Sequence, residues 1–156
     1  MQRRRQISVV GDGTPSLEVE QWAEQVGALL AQDDVVVVCG GLGGVMAAVA
    51  RGATVAGGIS VGIVPSYEAK SANSSISITI ASGLGHARNV LVVASGDAVI
   101  ALPGSYGTLS EIALALKLGK TVIGIQAWHE VRGVQVVQSP VEAVTLALAA
   151  AHRLDK

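Results

Sequence analysis

The chain has 156 residues and a formal net charge of -1; half of the residues are apolar, 3% are aromatic and none is phenylalanine. A charge this close to zero gives no electrostatic case for a nucleic-acid or anionic-membrane partner, and no apolar run approaches the ~18 residues of a membrane-spanning helix. The single cysteine, Cys39, excludes an internal disulfide and fits a reducing compartment, so a cytoplasmic protein is expected.

A chain of this length forms one domain, 1–156, and buries about two-thirds of its unfolded surface. Without phenylalanine the core is built from Val, Ile, Leu and Ala. The mean hydropathy of +0.51 is high for such a domain and predicts apolar surface that a second subunit covers. The opening MQRRRQISVVGDG carries a basic cluster, but its apolar run is too short for a signal peptide; the arginines read as a solvated terminus.

QISVV (6–10) reads as a short strand closed by Gly11-Asp12-Gly13. Thr14-Pro15-Ser16 opens a helix to about 31, with proline near the first turn, where it does least harm. DVVVVC (34–39) is a strand whose β-branched residues do not alternate with polar ones, so both of its faces are covered, as in a parallel sheet. CGGLGGVMAAVARGA (39–53) is a glycine-rich turn feeding a helix, and Gly57-Gly58 ends that unit. Strands follow at 59–65 and 76–81, separated by the polar loop 66–75; 83–95 carries a helix and 98–103 is a fifth strand. PGSYGTLSEIALALKLG leads into a helix that ends at Gly119, 121–126 is a sixth strand, and 133–138 is an edge strand. SPVEAVTLALAAAHRL closes the chain as a helix capped by Ser139, with Pro140 at its first position. The alternation predicts an α/β, Rossmann-like domain: a mostly parallel sheet of six or seven strands with helices on both faces.

In such sheets ligands bind beyond the carboxyl ends of the strands, and three glycine-rich turns fall there: Gly11 and Gly13; Gly40, Gly41, Gly43 and Gly44; and Gly104-Ser105-Tyr106-Gly107-Thr108. A helix start leaves amides unpaired and carries partial positive charge, and glycine lets an anion approach it. The turns therefore point to a phosphate-bearing ligand. The alternative for each is a glycine that only supplies a backbone angle. Neither the dinucleotide fingerprint nor the phosphate loop with its lysine is present.

Thr108-Leu109-Ser110-Glu111 has the spacing of a capping box, with Glu111 reaching back to the Thr108 amide. Glutamine serves equally in such a box, so on this reading Glu111→Gln leaves folding nearly unchanged. The same position also puts a carboxylate beside the expected phosphate site. Arg88, in the otherwise almost uncharged GLGHARNVLVVAS, is suited to bind phosphate or to hold a carboxylate ionised. His86, His129 and His152 show no ligand spacing with Cys39, so no metal site is expected. Trp128-His129 reads as a solvated loop tip, and nothing local ties Lys70 or Asn73 to a ligand.

GGLGGVMAAVARGA resembles the GGxxGxM turn, and PGSYGTLSE the PGGxGTxxE turn, of the LOG-type (Lonely Guy) nucleotide-binding superfamily, with ARN between them. GGVMAAVARGA, SANSS, GLGHARN and GTLSEIALALKLGK are most similar to the short bacterial branch containing molybdenum-cofactor carrier-like proteins. The resemblance implies a homo-oligomer, dimer or tetramer, with phosphate on the glycine turns. In the superfamily's enzymes an arginine and a glutamate matching Arg88 and Glu111 cleave the ribose–base bond of a nucleoside 5′-monophosphate. Those enzymes have lysine where this chain has Asn89, and glycine where it has Ser105. If position 105 needs a positive φ, its serine costs about 1 kcal/mol. Two functions follow: a carrier that binds a nucleotide or molybdenum cofactor and needs no cofactor of its own, or a phosphoribohydrolase. Nothing resembles a pyridoxal-phosphate lysine site.

Overall fold

Residues 3–154 are described by a computed structural model. Seven strands form one sheet: β1 (Gln6–Val10), β2 (Val36–Cys39), β3 (Ser60–Val64), β4 (Ile78–Ala81), β5 (Ala98–Ala101), β6 (Val122–Ile125) and β7 (Val134–Val137). Their order is β4-β3-β2-β1-β5-β6-β7, and every pairing is parallel. Five helices flank the sheet: α1 (Leu17–Gln32), α2 (Val45–Val55), α3 (Arg88–Ser95), α4 (Tyr106–Lys117) and α5 (Pro140–Leu154).

The central strands are apolar on both sides because both sides are covered. Ile7, Val9, Val37 and Ile100 pack with α1, α2 and α5, while Val10, Val38 and Val99 pack with α3 and α4. The expected edge strand, β7, is at an edge; β4 is at the other, with Ile78 and Ile80 about half exposed. Helices α1 and α2 meet through glycine. A Cβ on Gly27 would lie 2.1 Å from the Val49 carbonyl oxygen, and one on Gly52 would lie 1.9 Å from that of Glu24.

The strand order places the site. The chain lays β1 to β4 outward in one direction, then returns to add β5 on the free edge of β1. Helices leaving β1 and β5 therefore depart on opposite faces, and a crevice opens between the carboxyl ends of these two strands.

Two local expectations change. Helix α1 begins at Leu17, with Ser16 as its cap accepting from the Val19 amide, so Pro15 precedes the helix. The basic terminus is tied down at Arg3, whose Nη2 lies 2.6 Å from Oδ1 of the buried Asp97. Asp97 Oδ2 also accepts from the Gln6 amide, which fixes the entry to β1.

Candidate functional site

At the end of β1 the chain turns through Gly11-Asp12-Gly13. Gly11 has no room for a side chain, since a Cβ would lie 2.7 Å from Val45 Cγ2 and 3.0 Å from Leu102 Cβ. The Asp12 amide donates to the Pro103 carbonyl (3.1 Å), and the Asp12 carbonyl accepts from the Val45 amide (2.9 Å). The turn is thus stitched to the exit of β5 and to the start of α2. Asp12 Oδ1 accepts from the Thr14 amide, which closes it.

That stitching decides between the glycine turns. The first amide of α2 is already bonded to Asp12. Gly44, at φ +62°, lies so close that a Cβ would sit 2.4 Å from the Asp12 oxygen. Gly41, at φ +76°, packs against Gly62 and Val64, and its carbonyl accepts from the amide and side chain of Asn73. Of Gly40, Gly41, Gly43 and Gly44, only Gly40 lines the cleft.

The start of α4 is open by comparison. Ser105 is its N-cap, and its side chain makes no capping bond. The first helical bond runs from the Leu109 amide to the Ser105 carbonyl (2.9 Å). The amides of Tyr106, Gly107 and Thr108 precede that bond and have no carbonyl within the helix to receive them. Gly104 is packed under Thr108, where a Cβ would fall 2.1 Å from Oγ1. The Tyr106 side chain is exposed and outside the cleft. The helix therefore starts before Thr108, Glu111 lies in its second turn, and the capping box does not form. Ser105 has φ -118°, so serine there carries no left-handed strain.

A cleft of about 190 Å³ lies between these turns. Gly11, Asp12 and Gly13 border one side, and Ser105, Gly107 and Thr108 another. Gly40, Met46, Arg88, Asn89, His86 and Glu111 complete it over Val9 and Val10. Asp12, Met46 and His86 were not singled out as site residues from the sequence. Each has a local signal: Asp12 is flanked by two candidate glycines, Met46 is the methionine of the GGxxGxM turn, and His86 stands two residues before Arg88 in GLGHARN.

Arg88, the first residue of α3, is buried. Its Nε donates to the Ile63 carbonyl (3.0 Å), Nη2 to the Gly40 carbonyl (3.4 Å) and Nη1 to Asn89 Oδ1. Burial lowers its pKa, and the nearby Glu111 opposes that shift. Glu111 is half-buried. Loss of water pushes its carboxyl up to about 7, against the pull of Arg88. Arg88 and Glu111 both line the cleft and make no ion pair with each other. Cys39, at the end of β2, is fully buried; its thiol is pushed up to about 11 by burial, and Sγ contacts the Met46 carbonyl. It is a packed hydrophobe, as its place after a valine run predicts. No cluster of metal-ligating side chains occurs among the described residues.

Trp128 overturns the loop-tip expectation. It is 8% exposed, at φ +69°, and its Nε1 donates to the Leu102 carbonyl (2.9 Å). It secures the strand end that leads into the Pro103-Gly104 turn. Lys70 pairs with Glu68 at the surface.

The sequence profile of the SLOG cluster4 family matches residues 4–152. An uncharacterised protein of Archaeoglobus fulgidus is 45% identical over 139 residues, which is 89% of this chain and 91% of that one. Among solved structures, the molybdenum cofactor binding protein of Rippkaea orientalis superposes with a TM-score of 0.90 at 34% identity, over 96% of this chain and 98% of that one. The molybdenum cofactor carrier protein of Chlamydomonas reinhardtii gives 0.89 at 27% identity, over 99% and 100%.

Proposed function

The chain belongs to the SLOG cluster4 family, and from that premise we propose that it binds a phosphate-bearing, nucleotide-like cofactor in this cleft, with molybdenum cofactor as the cargo. The observation that carries the reading is the meeting of the open α4 start with the Gly11-Asp12-Gly13 turn in one cleft. Similarity to a molybdenum cofactor binding protein and to a carrier protein supports the choice of ligand.

The chemistry of binding follows from the donors. The ligand's phosphate lies at the α4 start, where Tyr106, Gly107 and Thr108 offer amides and the helix dipole adds positive potential. Ser105 and Thr108 add hydroxyl donors. Arg88, which lines the same cleft, contributes positive field without leaving its bonds to Ile63 and Gly40. Cys39 is buried beneath the cleft and does not line it, so the site offers a ligand no sulfur. The residues fit the phosphate and the hydrogen-bonding edge of the cargo rather than its metal.

Gly107→Asp tests the reading. A Cβ at Gly107 meets nothing within 4 Å, and an acid in the first turn of a helix is favourable there. The variant folds as well as the wild type, yet sets a negative charge where the phosphate lies. Calorimetry with pyrophosphate and AMP is expected to show at least a tenfold weaker affinity in the variant, about 1.4 kcal/mol. Unchanged affinity overturns the placement of phosphate at α4. Native mass spectrometry of freshly purified protein identifies a retained ligand by its mass.

A second reading is favoured by Glu111 itself, a half-buried carboxyl in the cleft opposite an arginine, with its pKa raised to about 7. A carboxyl that titrates near neutral pH is suited to take a proton from the attacking water as the bond between ribose and base breaks, and its ionised form stabilises the positive charge growing on ribose. On that reading the protein releases free base from a nucleoside 5′-monophosphate, and Glu111→Gln abolishes the release. Binding without base release by the wild type decides for the carrier.

We further propose that the chain is at least a dimer. Val90 and Leu91 of α3, with Leu109 of α4, are each more than one-third exposed, and these two helices pack side by side on one face of the sheet.

A further inference from the structure

We propose that Asn89 is a positioning residue: it holds the Arg88 guanidinium against the ends of β2 and β3 and away from Glu111, leaving the Glu111 carboxyl free to hydrogen-bond the ligand. This rests on the reading of the cleft as a ligand site and adds how that site is kept open.

The bonds are specific. Each of the three guanidinium nitrogens donates to the protein, and the Nη1 bond goes to Asn89 Oδ1. The other end of the Asn89 amide is also used, since Nδ2 donates to Ser110 Oγ (3.2 Å). Ser110 Oγ in turn donates to the Gly107 carbonyl (2.7 Å). Asn89 is 5% exposed, and both ends of its amide are bonded within the protein. A chain of bonds therefore runs from the strand ends, through Arg88 and Asn89, to the first turn of α4.

Glu111 is the acid whose charge acts on Arg88. The two charges feel each other without touching. An arginine–carboxylate pair closed across the cleft would fill the space the ligand needs and satisfy both groups without it. Asn89 offers Nη1 a neutral acceptor in place of a carboxylate. The other titratable groups at the cleft are the buried Cys39 beneath β2's end, Asp12 in the turn after β1, and His86 in the turn before α3. None lies between Arg88 and Asn89 in the bonding chain.

The test reads the Glu111 carboxyl directly, by carbon NMR of glutamate-labelled protein titrated with pH and assigned with Glu111→Gln. In Asn89→Leu, Arg88 loses its acceptor and turns to Glu111, and the Glu111 pKa falls by about 1–3 units. In Asn89→Asp, a carboxylate holds Arg88 in place, and the Glu111 pKa stays at or above its wild-type value. No fall in Asn89→Leu, or an equal fall in both variants, overturns the proposal. A merely structural asparagine would not separate the two variants in sign. Should Asn89→Leu fail to fold, the wild type still decides. Nitrogen NMR of Arg88 is expected to resolve separate, slowly rotating Nη groups, and one averaged signal overturns the proposal. Ligand affinity is not the readout. A protein that binds no phosphate leaves this result standing, and an unmoved Glu111 pKa leaves the binding reading standing.

Discussion

Glu111 shows how one residue changes meaning between sequence and structure. Its spacing from Thr108 matches a capping box, but α4 starts at Tyr106, so the carboxyl points from the second turn into the cleft. Burial raises its pKa from 4.5 to about 7. The folded state thus keeps a proton that the unfolded chain gives up as pH rises above 4.5. The cost to stability is absent below about pH 4.5, grows between 4.5 and 7, and is complete above 7. Glu111→Gln removes that cost. The variant is expected to melt at the wild-type temperature near pH 4.5 and several degrees higher at pH 8, since the rise from 4.5 to about 7 corresponds to at most about 3 kcal/mol and each 1 kcal/mol moves a domain of this size by about 2–4 °C. Thermal scans across this range check it. Equal melting at pH 8, which the capping box implies, would show a carboxylate with a partner in the folded state. Ser105 gives a second instance: a serine read as a strained substitution for glycine has an ordinary φ of -118°.

At the scale of elements, glycine has two different uses that the chain does not label. Gly44, at φ +62°, serves a backbone conformation. Gly27 and Gly52 lie inside helices at ordinary helical angles and serve packing, because α1 and α2 approach until backbone meets backbone. In an isolated helix Gly→Ala stabilises by about 1 kcal/mol. Here the sign reverses. Gly52→Ala would place a Cβ 1.9 Å from the Glu24 oxygen, so the helices must separate, at a cost of roughly 1–3 kcal/mol. Urea unfolding of Gly52→Ala is expected to give a lower midpoint than the wild type; a higher midpoint would mean the two helices part freely. The strands were legible from their β-branched runs, with ends that move by at most two residues. The number of open helix starts was not. The α2 start looked as accessible as that of α4, and only the bond from the Val45 amide to Asp12, across the fold, closes it.

The molecule as a whole carries an apolar surface on the α3–α4 side of the sheet. Helices α3 and α4 are apolar nearly all round, and one face of each meets the sheet. Their outward residues Val90, Leu91 and Leu109 need cover in water. Light scattering at micromolar concentration is expected to give at least a dimer. Leu91→Glu, at a position 38% exposed, is expected to lower the mass without unfolding the chain. A monomeric wild type would overturn the proposed dimer. Among the described residues, no helix is long and apolar enough to cross a membrane.

The amino-acid order by itself determined the alternation of strand and helix, the parallel sheet with covered faces, and the glycine turns at strand ends. These are local matters of periodicity, branching and backbone freedom, carried by residues close in the chain. Tertiary structure alone decided which turn stays open, that Arg88 is held by Asn89 and two carbonyls, and that Glu111 shares a cleft with Asp12. Those facts depend on strands β1, β2, β3 and β5 ending side by side. Hydrogen bonds and burial between residues so distant in sequence exist only once the sheet has brought them together.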